Sequence, residues 1–138
     1  MREPVFTETL QISLVVRDLD AAMRTYVHEY GIGPWDVYEF NSDTVRDMQE
    51  DGQPVERAWR LALSQVGSVQ LELIQPLDEH SIYARFLSEK GEGVHHVGVA
   101  ACPARAPGAV QAALRRDRQR GFPQQRHAEL RGPLRHVL

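Results

Sequence analysis

The ten residues at 91–100, Gly-Glu-Gly-Val-His-His-Val-Gly-Val-Ala, constrain this chain more than any other stretch. Two glycines stop whatever precedes them, and an apolar strand then opens on a histidine pair. Successive side chains of a strand point to opposite faces, so His95 and His96 are not expected in the same site. With His96 inward, Val94, Gly98 and Ala100 share its face, while His95, Val97 and Val99 pack on the other. The inward face then offers one imidazole among small residues, with room for a substrate. That imidazole is either a metal ligand or a hydrogen-bonded structural residue, and the stretch alone does not choose.

A chain of 138 residues suits one domain with a real core. No apolar run approaches the roughly 20 residues that cross a bilayer, so no membrane partner is expected. The first residues lack the basic-then-apolar plan of a secretory signal. Cys102 is the single cysteine, which excludes an internal disulfide and suits a reducing, cytoplasmic setting. Charge is split along the chain. Residues 1–100 carry 17 acidic and 8 basic side chains, whereas residues 101–138 carry 2 acidic side chains and 8 arginines. These arginines alternate with Ala, Pro, Gly and Gln and lack aromatic stacking partners beyond Phe122, so no nucleic-acid partner is expected.

Along the chain, residues 1–9 read as a leader and 11–16 as a short apolar strand. Asp18 can cap a helix whose apolar face is Leu19, Met23, Tyr26, Val27 and Tyr30, ended by Gly31. Residues 35–40 alternate as a second strand, and the polar stretch 41–56 reads as a loop. Strands at 58–65 and 68–74 flank a turn at Gly67. Ser81 can cap a second helix with Ile82, Tyr83, Phe86 and Leu87 as its stripe, stopped by Gly91. The histidine strand follows, then a third helix at 107–120, and no clear element from 124 on. The segment from Gln11 also lines up weakly with that from His96: each leads through an Ala-bearing helix to a Gly- and Pro-containing stop, suggesting two copies of one βαβββ module.

Three stretches carry a family resemblance. They are residues 12–23 (Ile-Ser-Leu-Val-Val-Arg-Asp-Leu-Asp-Ala-Ala-Met) leading into Gly-Ile-Gly-Pro-Trp at 31–35; Gly-Ser-Val-Gln-Leu-Glu-Leu-Ile-Gln-Pro-Leu at 67–77; and Phe86-Leu87 through the histidine strand to Val97. Together they resemble the vicinal oxygen chelate superfamily of glyoxalases, extradiol dioxygenases and bleomycin-resistance proteins, in its methylmalonyl-CoA epimerase and glyoxalase-like branch. The resemblance covers about residues 10–100. It implies an α+β fold of paired βαβββ modules curling around a cup that holds a divalent metal. The expected division is a leader at 1–9, a first module at 10–76, a linking helix at 77–92, the start of a second module at 93–123, and an Arg- and Pro-rich tail at 124–138.

The metal positions that the resemblance implies fall on Gln11, Glu72 and His96, with no recognisable counterpart of a fourth ligand on the last strand. An amide oxygen, a carboxylate and an imidazole suit Co²⁺, Ni²⁺, Zn²⁺, Mn²⁺ or Fe²⁺. Such an ion polarises a bound carbonyl and acidifies the proton on the next carbon, which a carboxylate then moves. Glu56 and Glu129 are the candidates for that carboxylate. The implied activity is that of an epimerase, an isomerase or a glyoxalase-like lyase acting on a small molecule such as a CoA or other thioester. The alternative is a metal-free binding module of the same fold. Trp35, Tyr38 and Trp59 are the candidate substrate-stacking surfaces, Trp35 being equally suited to the core.

The pattern breaks after Ala100. A full second module needs three further strands, and the last fifteen residues hold one β-branched side chain, Val137. The second module is therefore expected to be incomplete. The tail's composition is like that of a chain read out of frame near residue 101 and stopped early, an origin that an intact coding frame giving the same tail would overturn. An incomplete cup leaves strand edges open, and modules pair across subunits in the family, so a homodimer is expected.

Overall fold

In a computed structural model, which describes residues 4–44, 48–50, 53–101 and 136–137, Asp18 caps the first helix as the sequence predicts. Its Oδ1 accepts the Ala21 N–H at 2.9 Å, and helix α1 (Leu19–Tyr30) runs from there to Gly31. Gly31 adopts the left-handed conformation, φ 67°, and returns its N–H to the Val27 carbonyl. The strands up to the second helix are β1 (Phe6–Val15), β2 (Trp35–Phe40), β3 (Gln49–Glu50), β4 (Gln53–Pro54), β5 (Trp59–Val66) and β6 (Val69–Pro76). Ser81 caps α2 (Ile82–Lys90) through the Ala84 N–H, and β7 (Gly93–Ala101) and β8 (His136–Val137) follow.

The main sheet runs β7-β1-β6-β5-β2-β8, and β3 and β4 form a separate two-stranded hairpin. β1 is parallel to β6, while β5 is antiparallel to both β6 and β2. The order β1-α1-β2-β5-β6 is one βαβββ module, and β7 opens a second. This is the α+β fold that the resemblance implies.

The chain divides into two compact units. The larger, Leu10–Gly98 with Leu134–Leu138, holds both helices and the site described below. In the smaller, Met1–Thr9 with Val99–Pro133, the Thr7 hydroxyl donates to the Ala100 carbonyl.

Three elements differ from expectation. β1 starts at Phe6, inside the expected leader; Phe6 to Leu10 are all exposed, so no core periodicity marks this part of the strand in the sequence. The β3–β4 hairpin interrupts the polar stretch 41–56. Within the tail, β8 pairs with β2, Val137 opposite Trp35. The expected helix at 107–120 lies outside the described residues.

Two cores flank the sheet. Under α1, Val16, Leu19, Met23, Trp35, Ala62 and Leu73 form one cluster. On the opposite face, Val15, Leu61 and Ile74 meet Tyr83, Phe86 and Leu87 of α2. Each fully buried Leu, Ile or Val contributes about 1.5–3 kcal/mol. Polar ties hold α1 in register: the Arg60 guanidinium grips both Asp20 oxygens at 3.1 Å, and the Gln75 side chain accepts the Leu19 N–H at 2.9 Å.

Candidate active site

Strand register assembles the site on the face opposite α1. Ser13 of β1 lies directly across from Glu72 of β6, and Leu63 of β5 flanks Glu72 on its other side. Ser13 is fully buried and Glu72 is 8% exposed. The Ser13 hydroxyl donates to Glu72 Oε2. β7 lies beside β1 and brings His96 to the same carboxylate, Nε2 standing 3.6 Å from Oε2. Glu72 and His96 thus meet at one place.

Gln11 sits two residues before Ser13 and so on the same strand face. Its Nε2 donates to Gln70 Oε1 at 2.9 Å, which ties the amide to its neighbour across β6. Gly98 gives Gln11 its space, since a Cβ there would stand 3.1 Å from Gln11 Cβ.

His95 does not join a core on the far face. Its ring packs at T-shaped angles against Tyr83 and Phe86, at centroid distances of 5.2 and 5.0 Å, and its Nδ1 is 2.9 Å from His96 Nδ1. The reason is local: only Gly91 and Glu92 separate α2 from β7, so the start of the strand meets the aromatic side of the helix. Strand alternation sets the direction in which a side chain departs, and this helix decides where the imidazole comes to rest.

The remaining sequence candidates separate. Trp35 is 1% exposed in the core beneath α1, its indole N–H satisfied by the Ile32 carbonyl at 2.9 Å, so it is a core residue and not a stacking surface. Tyr38 and Trp59 lie on the Glu72 side of the sheet; Trp59 stacks on Phe40 at 5.3 Å and meets Tyr83 edge-on at 5.7 Å. Glu56 is exposed, three residues before Trp59. Trp59 itself pairs with Pro76, four residues along β6 from Glu72. At about 3.3 Å per residue that is already roughly 13 Å, so Glu56 is badly placed as the proton-moving carboxylate. Glu129 lies outside the described residues. Ser13 and Tyr83 were missed as site residues; strand parity with Gln11 was the available signal for Ser13.

Burial sets the electrostatics. It raises the Glu72 carboxyl above its ordinary range, against the Ser13 hydrogen bond and the charge of His95. It lowers His96, and lowers His95 with help from His96. Burial, reinforced by Glu72, lifts the Tyr83 hydroxyl to about 12, so Tyr83 stays protonated. Each shift disfavours charge in a site that contains only protein.

A divalent cation would reverse that preference. The 3.6 Å between His96 Nε2 and Glu72 Oε2 suits two donors sharing an ion about 2.1 Å from each. Divalent metals are common in proteins of this architecture. Among the described residues no group of three His, Cys, Asp or Glu is placed to hold one, so a third donor would be the Gln11 amide. An open groove of about 460 Å³ lies elsewhere, bordered by Leu14, Ala21, Ala22, Tyr26 and Glu92, and shares no residue with this site.

Comparison with known proteins bears on this site. Residues 10–132 match the family model of the glyoxalase/bleomycin resistance protein/dioxygenase superfamily, beyond the 10–100 span of the resemblance read from motifs. The methylmalonyl-CoA epimerase of Mycobacterium tuberculosis is similar in structure, at 27% identity and a TM-score of 0.54, over 88% of this chain and 69% of that one. A variant of the Streptomyces coelicolor methylmalonyl-CoA epimerase in complex with 2-nitronate-propionyl-CoA matches at 25% identity and a TM-score of 0.55, over 83% and 73%. The uncharacterized protein YqjC of Bacillus subtilis is 48% identical over 42 residues, which is 30% of each chain. The match therefore spans less than a third of that relative's length.

Proposed function

Since the chain belongs to the glyoxalase/bleomycin resistance protein/dioxygenase superfamily, we propose that its Glu72–His96 site serves a metal-dependent proton shift on the carbon next to a carbonyl or thioester, as in an epimerase or isomerase. The observation carrying this reading is the convergence of Glu72 and His96, from β6 and β7, on one place beside a fully buried Ser13. Glu72 and His96 would hold the ion, with Gln11 as third donor. The ion, when bound, polarises the substrate carbonyl and stabilises negative charge on its oxygen. Ser13 keeps Glu72 oriented by its hydrogen bond. Leu61, Leu63 and Ile74 lie on the same face as Glu72, and the low-dielectric surroundings of that largely buried carboxylate strengthen its interactions. Epimerase neighbours with CoA-linked ligands support an acyl-CoA as the substrate class.

The test is exchange of the α-proton of methylmalonyl-CoA in D₂O, followed by NMR, with Co²⁺ and with EDTA. Metal-dependent exchange that Glu72→Ala and His96→Ala each remove supports the reading. Absence of both exchange and Co²⁺ binding in the intact protein overturns it.

The second reading is a metal-free binding module, favoured by the absence of a three-residue acidic or histidine cluster among the described residues. A Trp59 fluorescence response to an aromatic or acyl ligand that persists in EDTA would select it. For either reading we propose a homodimer, since Val94 and Val97 on the edge strand β7 are about half exposed. Sedimentation at micromolar concentration decides this, and a stable monomer rejects it.

A further inference from the structure

We propose that His95 is a positioning residue that sets the tautomer of His96, keeping the His96 proton on Nδ1 and leaving the Nε2 lone pair facing Glu72. The inference deepens the metal reading above and rests on it for the use made of that lone pair. Its geometry is independent.

The two Nδ1 atoms are 2.9 Å apart, a hydrogen-bond distance. A neutral imidazole has one N–H, so one ring donates across this contact and the other accepts. If His96 donates, its Nε2 is a bare acceptor; if it accepts, its Nε2 carries the proton. At 3.6 Å, Nε2 is too far from Glu72 Oε2 for a good N–H···O bond. A proton on Nε2 would therefore have no close acceptor there, whereas on Nδ1 it has one at 2.9 Å. His95 is suited to be that acceptor because Tyr83 and Phe86 fix its ring plane. Partners on the second ring nitrogen of a ligand histidine commonly set its tautomer in this way.

Two substitutions separate the hydrogen bond from the packing. His95→Asn keeps a polar acceptor near the Nδ1 position and loses the ring. His95→Phe keeps a ring against Tyr83 and Phe86 and loses the acceptor. In metal-free protein at about pH 8, where imidazoles are neutral, two-bond ¹H–¹⁵N NMR spectra report the His96 tautomer directly. The expected result is Nδ1–H in the wild type and in His95→Asn, with His95→Phe shifting toward Nε2–H. Co²⁺ affinity by calorimetry should fall roughly 10-fold or more in His95→Phe and only a few-fold in His95→Asn. If His95→Phe does not fold, His95→Leu, which likewise has no acceptor, takes its place with the same expected loss. An Nε2–H tautomer in the wild type, or a tautomer unchanged in the variant lacking the acceptor, overturns the proposal. A wild type that binds no Co²⁺ but shows the expected tautomers overturns the metal reading alone, and His95 still positions His96.

Discussion

Ser13 stands opposite Glu72 in the parallel β1–β6 pair and donates its hydroxyl to Oε2, so a fully buried serine holds a largely buried carboxylate. Removing the hydroxyl leaves that carboxylate without its one hydrogen-bond donor from β1. Ser13→Ala should cost about 1.5–3 kcal/mol of stability, the range for a hydrogen bond to a charged group. It should also weaken Co²⁺ binding, because Glu72 loses its fixed rotamer. Urea unfolding and calorimetry check the two effects. Unchanged stability with intact metal binding would show that the hydroxyl does not orient Glu72.

Glu72 gives a pH prediction of definite sign. Burial holds its folded carboxyl above the ordinary value of 4.5, so the folded state binds the proton more tightly than the unfolded state. Stability of the metal-free protein must then fall as pH rises from about 4.5 through the raised folded value, and level off above it. Glu72→Gln removes that dependence and can still accept from Ser13. In EDTA at neutral pH the variant should melt higher than the wild type, and Co²⁺ should raise the wild-type melting temperature only. A variant that melts lower in EDTA would mean the carboxylate is stabilising even without a cation.

Asp78 ties the end of the hairpin to the start of α2. Its carboxylate accepts N–H groups from Ala58 at 2.9 Å, His80 at 2.7 Å and Ser81 at 2.6 Å. Burial acts to raise this carboxyl, but the three backbone donors outweigh it and hold the group below its ordinary range. The stabilisation is therefore present above the ordinary value of 3.8 and lost as pH falls through the lower folded value. Asp78→Ala should cost about 1–3 kcal/mol at neutral pH and should flatten the acid limb of the stability curve. Because α2 carries Tyr83 and Phe86, the variant should also loosen His95, visible as broadened imidazole resonances.

The fold was legible where a local signal and a buried face coincided. Asp18 and Gly31 bracket α1 as their chemistry requires, and the strand at 35–40 lies where its alternation puts it. Phe6 to Leu10 were illegible because an exposed strand end has no apolar face to betray it. At the site, Glu72 and His96 could be paired only through the resemblance, since 24 residues separate them and no short-range rule sets the register of β6 against β7. The contact of His95 with His96 was hidden by strand alternation, which speaks of backbone direction and not of the aromatic helix waiting beside the strand.

Ser64 supplies the last prediction. It lies on the α1 side of β5, 5% exposed and opposite Leu71, and its hydroxyl has no hydrogen-bond partner among the described residues. An unbonded hydroxyl in such a place costs about 1–3 kcal/mol by the measure of protein substitutions. Alanine removes the oxygen and leaves a gap smaller than a methyl-sized cavity, whose cost is about 1 kcal/mol or less. The first effect outweighs the second, so Ser64→Ala should leave stability unchanged or raise it by about 1 kcal/mol, with Co²⁺ affinity unaffected because Ser64 faces away from Glu72. Urea unfolding of the pair of proteins measures it. A loss of more than about 1 kcal/mol would mean that the Ser64 hydroxyl is hydrogen-bonded in solution, as buried polar groups nearly always are.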